Sequence, residues 1–144
     1  MDRRHWPLIV IDEAGPTGLS PVQLQKVLFL IGKNLPDEVG DSYYEFIPYN
    51  YGPFDQRVYS DADSLIKDEL VQTIQVSGRS WAYYIVTPPG HDLARHVRDN
   101  ELSPRMSQYI TKVVKWVQSL SFAQLLSAIY KAYPEYKAKS VFVA

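Results

Sequence analysis

The chain has 144 residues, 46% of them hydrophobic, no cysteine and a net charge of −1. That is enough apolar material for one core-forming domain over 1–144, and it excludes disorder, disulfides, thiolate chemistry and cysteine-ligated zinc. The longest purely apolar runs, such as Leu8-Ile9-Val10-Ile11, fall far short of the ~20 residues of a membrane span; no signal-peptide pattern opens the chain, so a cytoplasmic protein without membrane attachment is expected.

In chain order, Arg3 to Ala14 reads as a helix by its length and stops at Gly15-Pro16-Thr17-Gly18, a breaker cluster. Ser20, Pro21 and Gln23 supply an N-cap, a first-position proline and a capping-box partner. Leu24, Val27, Leu28 and Ile31 follow at helical spacing, with Phe29 and Leu30 on other sides. A helix apolar on most faces is buried, so the central core helix is expected here, ending between Gly32 and Pro36. Tyr43 to Ile47 reads as a short aromatic strand, and Gly52-Pro53 as a turn. Asp55 can then cap a helix to Asp68 with Val58, Ala62, Leu65 and Ile66 on one face. Leu70–Val76 and Trp81–Val86 are β-prone runs joined by Ser77-Gly78-Arg79-Ser80, a tight hairpin. Thr87-Pro88 begins a helix to about Arg98. Ser103-Pro104 begins another, with Met106, Ile110, Val113, Val114 and Val117 inward. Ser121 and Gln124 box a last helix whose inner face carries Phe122, Leu125 and Ile129, ending at Pro134. The expected class is α+β, mostly helical, with a winged-helix-like core over 20–98 (helices plus a small antiparallel sheet) and a C-terminal helical pair over 103–134. The Tyr83-Tyr84-Ile85-Val86-Thr87-Pro88-Pro89-Gly90 segment is similar to the Tyr-x-Leu-Thr-x-x-Gly close of many winged-helix wings.

Chemistry is sparse. His91 and His96 are five apart, not the three or four that stack ligands on one helical face. Asp61-x-Asp63 lacks the glycine and glutamate of a calcium loop. No phosphate-binding loop or serine elbow occurs. No catalytic residue, metal or cofactor is expected.

Charge is unevenly placed: residues 1–90 hold 7 Lys/Arg against 12 Asp/Glu, and 91–144 hold 8 against 4. The helix from Asp55, which would enter a DNA groove in a winged-helix regulator, carries over 55–69 Asp55, Asp61, Asp63, Asp68 and Glu69 against Arg57 and Lys67. Such a helix would be repelled by phosphates. A DNA-binding regulator therefore stands as the alternative function, its basic surface drawn from Arg95, Arg98, Arg105, Lys112 and Lys115.

Three ordered pieces resemble a known family. Leu24-Gln25-Lys26-Val27-Leu28-Phe29-Leu30, then Tyr51-Gly52-Pro53-Phe54 with Val58-Tyr59, then Thr87-Pro88-Pro89-Gly90 are similar to the Panacea (SocA-like) antitoxin-domain superfamily, over roughly residues 20–95. The resemblance implies a non-enzymatic module that neutralises toxins by direct binding, with related proteins in phage-defence and mobile-element settings. Phe54 stands where a small aliphatic residue often follows Gly-Pro. In that frame Leu24, Gln25, Lys26, Gly52 and Pro53 are motif residues. Between Tyr43 and Tyr59, 7 of 17 residues are aromatic, which suits a packing corner, a docking surface or, least well, a catalytic loop. As a docking surface, Tyr49, Tyr51, Phe54, Asp55, Arg57, Tyr59, Asp61 and Asp63 would meet a basic protein partner. Whether the apolar tail Ser140–Ala144 docks or hangs free is left open.

Overall fold

A computed structural model describes residues 1–142. Among them, seven α-helices and two two-stranded antiparallel sheets make an α+β, mostly helical fold. Helix α1 (His5–Glu13) is buried from Trp6 to Ile11 and packs against four of the helices and one of the strands described below. A 3₁₀ turn at Gly15–Thr17 leads to Leu19, whose backbone exchanges hydrogen bonds with Tyr84. Helix α2 (Pro21–Asn34) starts on the capping box read from Ser20 and Gln23, and every side chain from Leu24 to Ile31 is buried. Its central place is thus shared with α1.

The stretch between α2 and the next long helix departs from expectation. A short α3 (Pro36–Val39) comes first. Tyr43 to Phe46 is not a strand; Tyr43 and Tyr44 are buried in irregular backbone, edge-on to one another and, for Tyr43, to Trp6. The Tyr43 hydroxyl donates to the Leu28 carbonyl at 2.5 Å, replacing ladder bonds with a side-chain tether. The strands lie further on: β1 (Ile47–Tyr49) pairs antiparallel with β2 (Gly52–Phe54), Ile47 opposite Phe54 and Tyr49 opposite Gly52. Gly52-Pro53 is therefore strand, and Asn50-Tyr51 is the turn.

Helix α4 (Gln56–Lys67) is capped by Asp55 and buries Val58, Ala62 and Leu65. It ends in a Schellman arrangement: Leu70 N donates to Leu65 O and Glu69 N to Ile66 O, with Glu69 left-handed at φ 61°. Strands β3 (Val71–Gln75) and β4 (Ala82–Val86) pair in full register, but residues 76–81 stay unpaired, so the wing carries a longer loop than the tight turn expected. With Leu19 bridged to β4, the order α1, α2, α4, β3, β4 is a winged-helix-like core. Helix α5 (Pro88–Glu101) begins at Thr87, whose hydroxyl accepts from Gly90 N and donates to Glu69 O. Gly90 is there for steric reasons: a Cβ would fall 1.9 Å from the Leu70 carbonyl oxygen. Helices α6 (Pro104–Gln118) and α7 (Phe122–Ala132) close the core, α6 burying the five residues expected. Phe122, expected inside, is 36% exposed, because the first position of α7 projects past the core edge. A 3₁₀ turn at Pro134–Lys137 buries Tyr136 against Phe29.

Candidate functional site

The motif residues converge on one junction. Gln25 of α2 donates through Nε2 to Asp55 O at 3.0 Å and accepts from Asp55 N at 3.1 Å, clamping the step from β2 into α4. Lys26, 2% exposed, donates from Nζ to Pro53 O at 3.1 Å. Two polar residues on an otherwise apolar helix thereby satisfy backbone groups that the short hairpin leaves unpaired. Burial lowers the Lys26 ammonium to about 7. Gly52 holds φ +91°, and a Cβ there would crowd the Tyr130 ring at 3.2 Å.

Asp55, expected on the docking surface, is instead a buried helix cap. It is buried, its Oδ1 accepts from Arg57 N at 2.9 Å, and its Oδ2 accepts from Glu45 N at 2.8 Å and Arg57 Nη2 at 2.6 Å. Burial works to raise its carboxyl, but the bonds from Arg57 and Glu45 outweigh it and hold the group below the ordinary range.

Asp61 corrects a larger part of the expectation. It is 7% exposed, accepting from Arg3 Nε at 2.8 Å, Arg3 Nη2 at 3.1 Å and the Tyr44 hydroxyl at 2.5 Å. Donation to Asp61 raises the Arg3 guanidinium, while burial and then the bond to Asp61 raise the Tyr44 phenol. Arg4 Nη1 meets Asp68 Oδ2 at 2.6 Å. The acidity of α4 is thus mostly neutralised from within, by Arg57 and the two N-terminal arginines. Its solvent stripe is Gln56, Ser60, Asp63 and Lys67, one charge of each sign. Of the acidic docking residues expected, Asp63 alone is exposed and free of an ion pair among the described residues.

The aromatic residues do form a surface. Tyr49 stacks on Phe54 at 4.7 Å, and Phe54 meets half-buried Tyr59 edge-on at 5.6 Å. Tyr51 lies 5.4 Å from Phe122, which also touches Trp81 at 6.4 Å and stacks on Phe142 at 5.7 Å. The tail docks beside them, Val141 N donating to Asn50 O at 2.9 Å and the Tyr130 hydroxyl to Ser140 Oγ at 2.6 Å; Val143 and Ala144 lie outside the described residues. Ile47, Tyr49, Tyr51, Trp81, Phe122 and Val141 are all at least 36% exposed. Trp81 and Phe122, not singled out from sequence as surface, join Tyr51 in one aromatic band, and they also wall a groove of about 250 Å³ together with Ser20, Gln23, Arg79 and Gln118. Arg79 sits over the Tyr83 ring at 4.6 Å.

Of the basic residues proposed for nucleic acid, Arg98 is bound to Glu13 at 2.8 Å and to Ser107, and Arg105 lies 3.7 Å from Glu38. Arg95, Lys112 and Lys115 are exposed. No protein-family model matches the chain, and a search of curated proteins finds no match either.

Proposed function

We propose that this chain is a non-enzymatic protein-binding module of the antitoxin-like kind, acting through the aromatic band Tyr51–Trp81–Phe122, with Ile47 and Tyr49 exposed on the same hairpin, rather than through an acidic helix. The observation that carries the reading is the continuity of that band across three separate elements, the β1–β2 hairpin, the wing loop and the start of α7. Isolated exposed aromatics are ordinary, whereas contiguous apolar patches mark interaction sites. Tyrosine and tryptophan give large rigid contact area and dominate binding hot spots. Resemblance to the Panacea superfamily in the three motif segments supports a toxin-like partner, held and neutralised by contact. The buried Gln25, Lys26 and Asp55 have a scaffolding role in this reading: they fix the hairpin that presents the tyrosines.

The test is affinity capture of a stoichiometric partner from native cells by the tagged chain, after nuclease treatment, with wild type beside the double variant Tyr51→Ala/Trp81→Ala and the control Trp116→Ala on the exposed side of α6. Loss of about 30-fold or more in affinity for the band variant alone, as expected for a hot spot worth ~2 kcal/mol, supports the reading. Equal capture by both variants refutes the site. The DNA-regulator alternative rests on the winged-helix-like core and on Lys112, Lys115 and Trp116 sharing exposed α6 surface. It requires binding to duplex DNA that weakens steeply with salt, and a filter-binding series with no retention at low salt removes it.

A further inference from the structure

Beneath the hairpin lies a second, smaller cavity, which shares Tyr49 and Tyr51 with the protein-binding surface and reaches past them to Lys26. It measures about 170 Å³ and is lined by Val22, Lys26, Tyr49, Tyr51, Phe54 and Tyr59, with Gln25, Asn50 and Gly52 completing the wall. An apolar cavity of about 150 Å³ is large enough for benzene, so this one fits a single small ring. Its rim is open to solvent, since Tyr49 and Tyr51 are exposed.

Among the described residues, Lys26 is the one cationic side chain in the lining. Its single hydrogen bond among the described residues is to the Pro53 carbonyl, and it has no carboxylate partner there. The titratable groups around it are Tyr49 and Tyr51 of the hairpin, Tyr59 of α4, Tyr130 of α7 across Gly52, and Asp55, whose carboxylate is committed to Arg57 and Glu45. Donation to Pro53 uses one N–H and leaves the nitrogen lone pair of the neutral amine unengaged. Desolvated lysines of this kind are the nucleophiles of imine-forming proteins.

We infer that this cavity is a carbonyl-capture site, in which an uncharged aromatic aldehyde or ketone is held by the ring-lined wall and bonded to Lys26 Nζ. The nitrogen lone pair attacks the carbonyl carbon and the C=O π pair moves to oxygen. Proton transfer from nitrogen to oxygen gives the carbinolamine. Loss of one water then forms the C=N bond, so amine plus carbonyl compound equals imine plus water, with no oxidant or reductant required. A protonated imine is stabilised by neighbouring aromatic rings as any organic cation is. An anionic carbonyl compound would enter a wall with no second cation, so the site selects neutral ones.

The experiment uses the full chain with benzaldehyde and sodium cyanoborohydride at pH 7, followed by peptide mapping of all eight lysines and of the α-amino group. With burial holding Lys26 at about 7, roughly half its amine is neutral at that pH, against less than about 1 in 1,000 for a lysine of ordinary pKa. After allowance for access and lower basicity, Lys26 should carry at least tenfold more benzyl adduct than any other lysine. Its labelling should level off above about pH 7, while the exposed lysines keep rising about tenfold per pH unit. Even labelling across the lysines, or an unlabelled Lys26, overturns the proposal. So does a Lys26 that stays privileged after unfolding in guanidinium, because local sequence rather than the cavity would then be responsible. Neither result bears on the aromatic band, whose test is partner capture.

Discussion

Replacing Asp61 by alanine tests whether α4 is a charged surface or a buried clasp. The carboxylate takes three hydrogen bonds, two from Arg3 and one from Tyr44. Breaking a buried ion pair costs about 3–5 kcal/mol, but the Arg3 side chain is 31% exposed and can rehydrate, which moves its share to the low end. The Tyr44 hydroxyl is buried and loses its acceptor, at roughly 1–3 kcal/mol. The net expectation is about 3 kcal/mol, or a fall of about 10 °C in Tm at this chain length. Asp63, two positions on, exposed and without an ion pair among the described residues, should cost under about 0.5 kcal/mol when changed to alanine. Urea and thermal unfolding followed by circular dichroism measure both. Arg3→Met added to Asp61→Ala should cost less than the two changes separately, because it removes the stranded cation. Equal stability of Asp61→Ala and Asp63→Ala would refute the clasp.

Stability should climb with pH through the neutral range because of Lys26. Its folded value lies below that of an unfolded lysine, so the unfolded chain holds the extra proton between about pH 7 and the ordinary lysine range. Raising the pH from 7 to 9 adds about 2 kcal/mol by that linkage, read as a rising urea midpoint; Lys26→Met should flatten the rise, and an identical slope in the variant would count against it. Gly90→Ala forces a Cβ to within 1.9 Å of the Leu70 carbonyl oxygen, and a loss of about 3 kcal/mol or more is expected; wild-type Tm in this variant would mean that the α5 contact is looser than drawn. Glu69→Gly relieves the left-handed position ending α4 and should stabilise by about 0.5–1 kcal/mol, whereas destabilisation would show that the Glu69 side chain matters more than its backbone.

Local chemistry was readable wherever it was stored in adjacent residues. Ser20 with Gln23, Ser103 with Pro104, and Ser121 with Gln124 each specify a helix start within four positions, and all three helices begin there. The β1–β2 hairpin was missed because its three-residue strands contain Pro48 and Pro53, which mask strand character, and because its stability comes from Lys26 and Gln25 on a distant helix. Asp61 looked solvent-facing because its partner Arg3 lies 58 residues away, and no periodicity on α4 could reveal a pairing across that span. Trp81 and Phe122 gave no advance signal as neighbours: one sits in a wing loop and the other at a helix start, brought to 6.4 Å only by the tertiary fold.

The unbroken apolar run Trp6 to Ile11 in α1 sets a timetable for synthesis. Trp6 to Ile11 is made well before α6, which ends at Gln118 and is one of its packing partners. Translation at roughly 5–20 residues per second puts on the order of 5–20 s between the emergence of the two. Through that interval the nascent chain carries an apolar segment with part of its cover still unmade, and Trp6 to Ile11 are residues for which a chaperone has much to do.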